Sequence, residues 1–378
     1  MITRTRLWVA LLAVTIPLSL HAADTQTIQQ IKEDTAKTIA KQLQDPNFSQ
    51  AASRLFAAQA GAGEREGISL HALTANLGQS GEISRIDDAN RKLTAAKGLN
   101  GWSEGILRLR IHLPSHAAGR LPSELGDLLV AVEPAGDDRH WTSVPAFDAS
   151  GKRHELDAQT PPAIPVLVLD LDSQESVRAG VMLMNDALRQ ANLQTRHTDA
   201  AEEGAQLTVL TKIHLNNDEE PWIKGKAEIF AIVSGIKQGK AEPQVEVKDM
   251  KYLDYDKTTY KPYQDMVSWA NYGAGVANVQ LFERDQDDLN YAELVSKILG
   301  ALINKVPVPK PAAAAVSAIG EAILGALPKS LLTDNNDYVD SFYLVEKGRG
   351  YTDLVGARAN ATASFCPHVV GVDDCPRQ

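Results

Sequence analysis

Val279-Gln280-Leu281-Phe282-Glu283-Arg284-Asp285-Gln286-Asp287-Asp288 passes from an apolar strand directly into a loop with three aspartates. The same succession recurs around it. Asn216-Asn217-Asp218-Glu219-Glu220 follows the run Leu207–Leu215, Asp254-Tyr255-Asp256 follows Gln244–Lys248, and Asp334-Asn335-Asn336-Asp337 with Asp340 leads into Ser341–Val345. Trp222–Ser234 reads as a long strand ending at Gly235, and Met266–Tyr272, Val276–Phe282 and Ala357–Phe365 continue the series. Many short strands separated by turn signals predict an antiparallel β-sandwich over 205–378. Two amphipathic stretches, Tyr291–Asn304 and Ala312–Leu327, are inserted helices on either side of a Pro-rich hinge at 307–311.

Upstream the texture is mixed. Ile28, Ile31, Thr35, Ile39 and Leu43 recur at helical spacing until Asp45-Pro46, and Ala-rich pieces and a further helix from about Ile86 to Lys97 follow. Leu107-Arg108-Leu109-Arg110-Ile111-His112-Leu113 alternates strictly, the period of a half-buried strand. Leu128–Val132, the flanks of the turn Asp148-Ala149-Ser150-Gly151, and Ile164–Leu171 are further strands, and Ser176–Asn192 is a short helix. The polar stretch 195–204 is the boundary. The expected fold class is therefore α+β, with a helical and small β domain over 24–195 and a sandwich with acidic loops over 205–378.

The N-terminus carries Arg4 and Arg6, then a 14-residue apolar run Leu7–Leu20, then His21-Ala22-Ala23. This is the order of a secretory signal peptide over 1–23, too short for a membrane span of ~20 residues. Its removal takes the net charge from −10 to −12, since two arginines and no acid are lost. A chain this acidic lacks the basic footprint of a nucleic-acid binder. No second long apolar run exists, so the mature chain carries no transmembrane segment, and its destination is periplasmic or extracellular. Cys366 and Cys375, the only cysteines, form a disulfide in such a compartment; with His368 they make a poor zinc set, since a fourth ligand is missing.

Calcium takes six to eight oxygens, chiefly from Asp, Glu, Asn and backbone carbonyls. The four acidic loops supply Asp218, Glu220, Asp254, Asp256, Asp285, Asp287, Asp334 and Asp337 as candidate ligands for Ca2+, not all at one ion. The same residue types also populate ordinary solvated turns. An EF-hand is excluded: counted from Asp285, positions 5, 6, 7 and 12 are Leu289, Asn290, Tyr291 and Ser296. The strand-then-Asp-x-Asp succession at 279–288 is similar to C2-type sandwiches, in which calcium sits between loops from different strands.

Catalytic signatures are sparse. There is no His-Glu-x-x-His, Gly-x-Ser-x-Gly or Walker-type loop. Ser234-Gly235-Ile236-Lys237 matches Ser-x-x-Lys but on a strand, where the lysine is not aimed at the serine. Asp170 and Asp172 at a strand end, and His140 beside Trp141, are the remaining polar candidates.

Pro221–Gly235 resembles a family of exported bacterial proteins known only as a domain of unknown function, and Val276–Asp288, Asp337–Tyr343, Pro145–Asp148 and Asp157–Pro162 carry the same resemblance. It implies secretion and a shared architecture, and supplies no activity. The reading is an exported calcium-binding interaction protein whose partner is a protein, polysaccharide or lipid head group. The alternatives are a metal-dependent hydrolase using Asp170, Asp172 or His140, and a metal-free protein that docks a partner through residues 24–45. Export predicts that intact-mass measurement of the periplasmic or secreted protein finds an N-terminus at Ala23 or Asp24; recovery of the 378-residue chain with Met1 in place would contradict it.

Overall fold

A computed structural model describes residues 21–59, 67–114, 121–122, 124–136, 140–195, 203–216, 222–224, 229–253, 257–283, 289–305, 311–327 and 338–375. Of the stretch 1–23 expected to be a signal peptide, residues 1–20 lie outside them. The architecture is mixed α+β, with seven helices and three sheets among the described residues and no closed barrel.

The first half opens with helix α1 (His21–Gln42), α2 (Pro46–Ala58), strand β1 (Ile68–Ser69), α3 (Leu70–Thr74) and α4 (Gly81–Ala96). Asp45 both closes the first helical run and caps α2, its carboxylate accepting from the N–H groups of Asn47 and Phe48 with Pro46 in the first turn. Strands β2 (Leu107–His112), β3 (Leu129–Val132), β4 (Ser143–Phe147), β5 (Arg153–Asp157) and β6 (Val166–Leu171) follow. With β1 they form one sheet in the order β1-β2-β6-β3-β4-β5, antiparallel except for β3 beside β6. Alternation sends Leu107, Leu109, Leu167, Leu169, Val130 and Val132 to the face covered by α1 and α4. Ile39, Ala40 and Leu43 of α1 are buried in that layer. The apolar face that partner docking would need is thus already occupied within the molecule.

The opposite face explains why β2 is not half-buried as its alternation suggests. Arg108 and Arg110 share that face with Asp170 of β6. The Arg108 guanidinium donates to Asp170 at 3.1 Å and to Ser173 at 3.3 Å, and Arg110 Nε donates to Asp170 at 2.9 Å. Residues 222–224 cross from the second half to cover them. Arg110 donates to the Ile223 carbonyl at 2.6 Å, the Trp222 indole N–H donates to the Asp157 carbonyl at 3.0 Å, and the Trp222 ring lies 5.1 Å from that of His112. Trp222 and Ile223 are therefore not the start of a long strand. The apolar pair finds its buried surface on the first sheet.

Helix α5 (Ser173–Gln190) is capped by Asp172, whose carboxylate accepts from Glu175 N–H. Then come β7 (Gln206–Leu215), β8 (Ile229–Lys237), β9 (Pro243–Asp249), β10 (Thr259–Tyr260), β11 (Gln264–Ser268), β12 (Tyr272–Glu283), α6 (Tyr291–Lys305), α7 (Ala312–Ala326), β13 (Tyr338–Glu346), β14 (Tyr351–Val355) and β15 (Ala361–Val369). They form a sheet in the order β10-β7-β15-β14, with β11 also on β7, and a sheet in the order β13-β12-β8-β9; all pairings are antiparallel. Leu210, Ile213 and Phe365 of one sheet meet Ile229, Ala231, Val233, Val279 and Leu281 of the other in a shared core. The four-stranded sheet is buried on its other face too. Phe230, Ile232, Val245, Val247 and Phe282 turn outward into a layer of helices that includes α7, and this layer is continuous with the first core. Both-face burial is why 229–233 reads as an unbroken apolar run. The boundary near 195–204 therefore separates the sheets and not the core.

Burial pushes the Asp170 carboxyl up, but the Arg110 and Arg108 charges and the Arg108 hydrogen bond outweigh it and hold the group below the ordinary carboxylate range. A depressed carboxyl contributes stability that is present above its unfolded value of about 4 and is lost as pH falls through the folded one. Asp170→Asn is expected to lose about 3–5 kcal/mol at pH 7, because two buried guanidinium groups lose their counter-charge. Denaturant unfolding checks this, and the gap from the parent protein should narrow as pH drops below about 4.

Candidate functional site

All eight acidic residues predicted to bind calcium, Asp218, Glu220, Asp254, Asp256, Asp285, Asp287, Asp334 and Asp337, lie outside the described residues. What the structure places are the points from which their loops leave and return. Strand β7 ends at Leu215, and the following Asn216 N–H donates to the Asn360 carbonyl at 2.8 Å. Lys257, just after the second loop, donates its N–H to the Leu215 carbonyl at 2.8 Å. In the other sheet Glu283, the last residue of β12, pairs with Ile229, and Phe282 pairs with Tyr338, the first residue of β13. One stem of each loop thus sits at one end of the two facing sheets, whereas the first loop returns through Trp222 on the first sheet and the third through Asn290, whose side-chain amide donates to the Ala96 carbonyl at 2.8 Å.

Asp340 fixes that end. It is fully buried, and its two oxygens accept from four backbone N–H groups: Ser341 at 2.8 Å and Arg358 at 2.7 Å on Oδ1, Asn360 at 2.9 Å and Ala361 at 2.7 Å on Oδ2. The Ala357 N–H donates to the Ser341 carbonyl at 2.9 Å, and the Arg358 side chain donates to the Tyr338 carbonyl. In sequence Asp340 adjoins the fourth acidic loop. A carboxylate already saturated by N–H donors is a bridge between β13 and the β14–β15 turn, not a cation ligand. Gly356 permits it, since a Cβ there would stand 2.2 Å from the Asp340 carboxyl carbon. Among the described residues no three His, Cys, Asp or Glu side chains are placed to hold a metal ion.

The second polar feature is a cleft of about 640 Å3 between the end of β9 and the β10–β11 edge. One wall carries Asp249, Lys251 and Tyr252; another carries Pro262, Tyr263, Gln264 and Asp265; Leu207, His368 and Val370 close it. Tyr252 donates to Gln264 Oε1 at 2.5 Å, and Gln264 Nε2 donates to the Asp249 carbonyl at 2.8 Å, so these two walls are hydrogen-bonded together. Tyr263 sits in the left-handed region (φ 48°), and its hydroxyl donates to the Cys375 carbonyl at 3.3 Å. His368 Nδ1 lies 2.6 Å from Asp374 Oδ1, which orients the ring, and Tyr263 meets that ring edge-on. Burial pushes the Asp249 carboxyl up against the opposing Lys251 N–H bond. Burial likewise raises Asp374, but the His368 hydrogen bond and the Val369 N–H leave it below the usual range.

Sequence reasoning did not single out this cleft. One signal was present: Tyr252, Tyr255, Tyr260 and Tyr263 put four of the chain's nine tyrosines into twelve residues rich in charge. The other sequence candidates have structural roles. Asp170 belongs to the arginine cluster and Asp172 caps α5. His140 is exposed, while its neighbour Trp141 is core and donates to the Ala135 carbonyl at 3.3 Å. Ser234 is buried on β8 beside Asn278, and Lys237 reaches the Asn192 carbonyl at 2.9 Å, so the two form no dyad. Cys366 and Cys375 are joined as a disulfide with Cα atoms 5.9 Å apart. It ties the end of β15 to the segment carrying Asp374. No described helix is long and apolar enough to cross a membrane.

No curated protein and no solved structure matches the chain. A family described as "Protein of unknown function (DUF3103)" matches residues 32–372, spanning the first sheet, the helical layer and both C-terminal sheets. The chain belongs to that family.

Proposed function

We propose that the chain is an exported, calcium-dependent interaction protein whose paired C-terminal sheets work as a C2-like module. The observation that supports this reading is that one stem of each of the four acidic loops sits at the end pinned by Asp340. Loops that leave from one end of two facing sheets bring their carboxylates within reach of one another, and the resulting repulsion is relieved by a divalent cation. Asp218, Glu220, Asp254, Asp256, Asp285, Asp287, Asp334 and Asp337 are the proposed ligands. A cation held there presents open coordination positions and a local positive field on a protein of net charge −10, which suits an anionic head group, polymer or protein surface.

The test is thermal unfolding of the mature protein in millimolar calcium and then in excess chelator. A cation bound only to the native state adds about 2.7 kcal/mol at a hundredfold excess over Kd. The reading expects a rise of several degrees that both the Asp285→Asn/Asp287→Asn and the Asp218→Asn/Glu220→Gln variants reduce. An identical Tm with calcium and chelator would leave the loops as solvated turns and overturn the proposal.

A further inference from the structure

We infer that the cleft between Asp249, Tyr263 and His368 is a binding site for a neutral saccharide. A cleft of about 640 Å3 falls within the usual range for small-molecule sites, roughly 300–1,000 Å3. Its lining selects the ligand class. Asp249 and Asp265 offer acceptors, Lys251 offers a donor, His368 offers a polar ring, and Tyr263 beside Pro262 and Val370 offers an apolar face. A strongly anionic ligand would meet the two carboxylates, and a strongly cationic one would meet Lys251. A neutral polyol carries donors and acceptors together and uses both signs without a charge to desolvate. Its C–H face packs on Tyr263, in the way aromatic rings pair an apolar body with a polar tip.

The site is held in shape before any ligand arrives. The Tyr252–Gln264–Asp249 chain of hydrogen bonds joins two of its walls. The third wall depends on the disulfide: the loop closed by Cys366 and Cys375 contains His368 and its partner Asp374, and Tyr263 donates to the Cys375 carbonyl. The Nδ1 contact with Asp374 fixes the orientation of the His368 ring at the cleft wall. Walls fixed in this way lower the ordering cost of binding.

Calorimetric titration of the mature protein with maltose, cellobiose and N,N′-diacetylchitobiose tests this, in chelator so that the outcome is independent of the calcium reading. A uronic-acid disaccharide and a glucosamine disaccharide serve as anionic and cationic controls. At least one neutral disaccharide should bind more tightly than both controls. Asp265→Asn, at an exposed position, and Tyr263→Ala should each weaken binding about tenfold or more, which is about 1.4 kcal/mol. Tyr263→Phe, which keeps the ring, should weaken it less than Tyr263→Ala. The Cys366→Ser/Cys375→Ser variant, checked for a folded near-ultraviolet circular dichroism spectrum, should also lose affinity. No heat with any neutral disaccharide up to about 10 mM, binding of the charged controls alone, or affinity unchanged in Asp265→Asn and Tyr263→Ala would each overturn the proposal.

Discussion

The carboxylate of Asp340 joins the two C-terminal sheets at the end from which the acidic loops leave. It is buried, carries two acceptor oxygens, and meets four backbone N–H groups at 2.7–2.9 Å. Two of those donors, Arg358 and Asn360, belong to the β14–β15 turn and the others to the adjoining strand residues Ser341 and Ala361, and buried N–H groups left without an acceptor cost about 1–3 kcal/mol each. One side chain on β13 therefore does for the β14–β15 turn what a strand partner does elsewhere. Because Asn360 also accepts from Asn216, the same turn sets where β7 ends. The placement of the loop stems follows from this one buried anion.

A second buried ionic cluster organises the other half of the molecule. Asp170 lies between Arg108 and Arg110 on the face of the first sheet that Trp222 and Ile223 cover. The crossing of residues 222–224 connects the halves at the outer face, and the helices against the four-stranded sheet connect them through the core. A four-stranded sheet buried on both faces cannot be separated from its neighbours without exposing Phe230, Ile232 and Phe282 to water. The two halves defined by sequence texture are thus two sheet systems sharing one interior, and the cleft and the loop end lie on the part of the second system that this interior leaves open.

Local patterns made most of this legible. Strand alternation and helix periodicity located β2, β3, β6, β7, β9, α6 and α7 within a few residues, and the turn at 148–151 correctly implied a strand on each side. What failed depends on which distant surface a segment meets. Trp222-Ile223 is as apolar as a strand, but its burial is on the first sheet. The alternation in β2 suggested a solvated charged face, and only the position of Asp170 across the ladder shows that Arg108 is buried. Strand β14 escaped notice because its side chains are mostly exposed on an edge. The cleft escaped because its walls come from β7, β9, β11 and β15, with no sequence spacing to unite them. The calcium expectation came from loops whose chemistry is local, and the geometry adds only where their stems sit.

The most direct test of this account is denaturant unfolding of the Asp340→Asn variant at neutral pH. The amide keeps the shape of the carboxyl but turns an NH2 group toward two of the four N–H donors. The expected loss is about 2–6 kcal/mol, from two unsatisfied buried donors at about 1–3 kcal/mol each. Stability equal to that of the parent protein would contradict the claim that this anion holds the two sheets, and with them the loop end, in place.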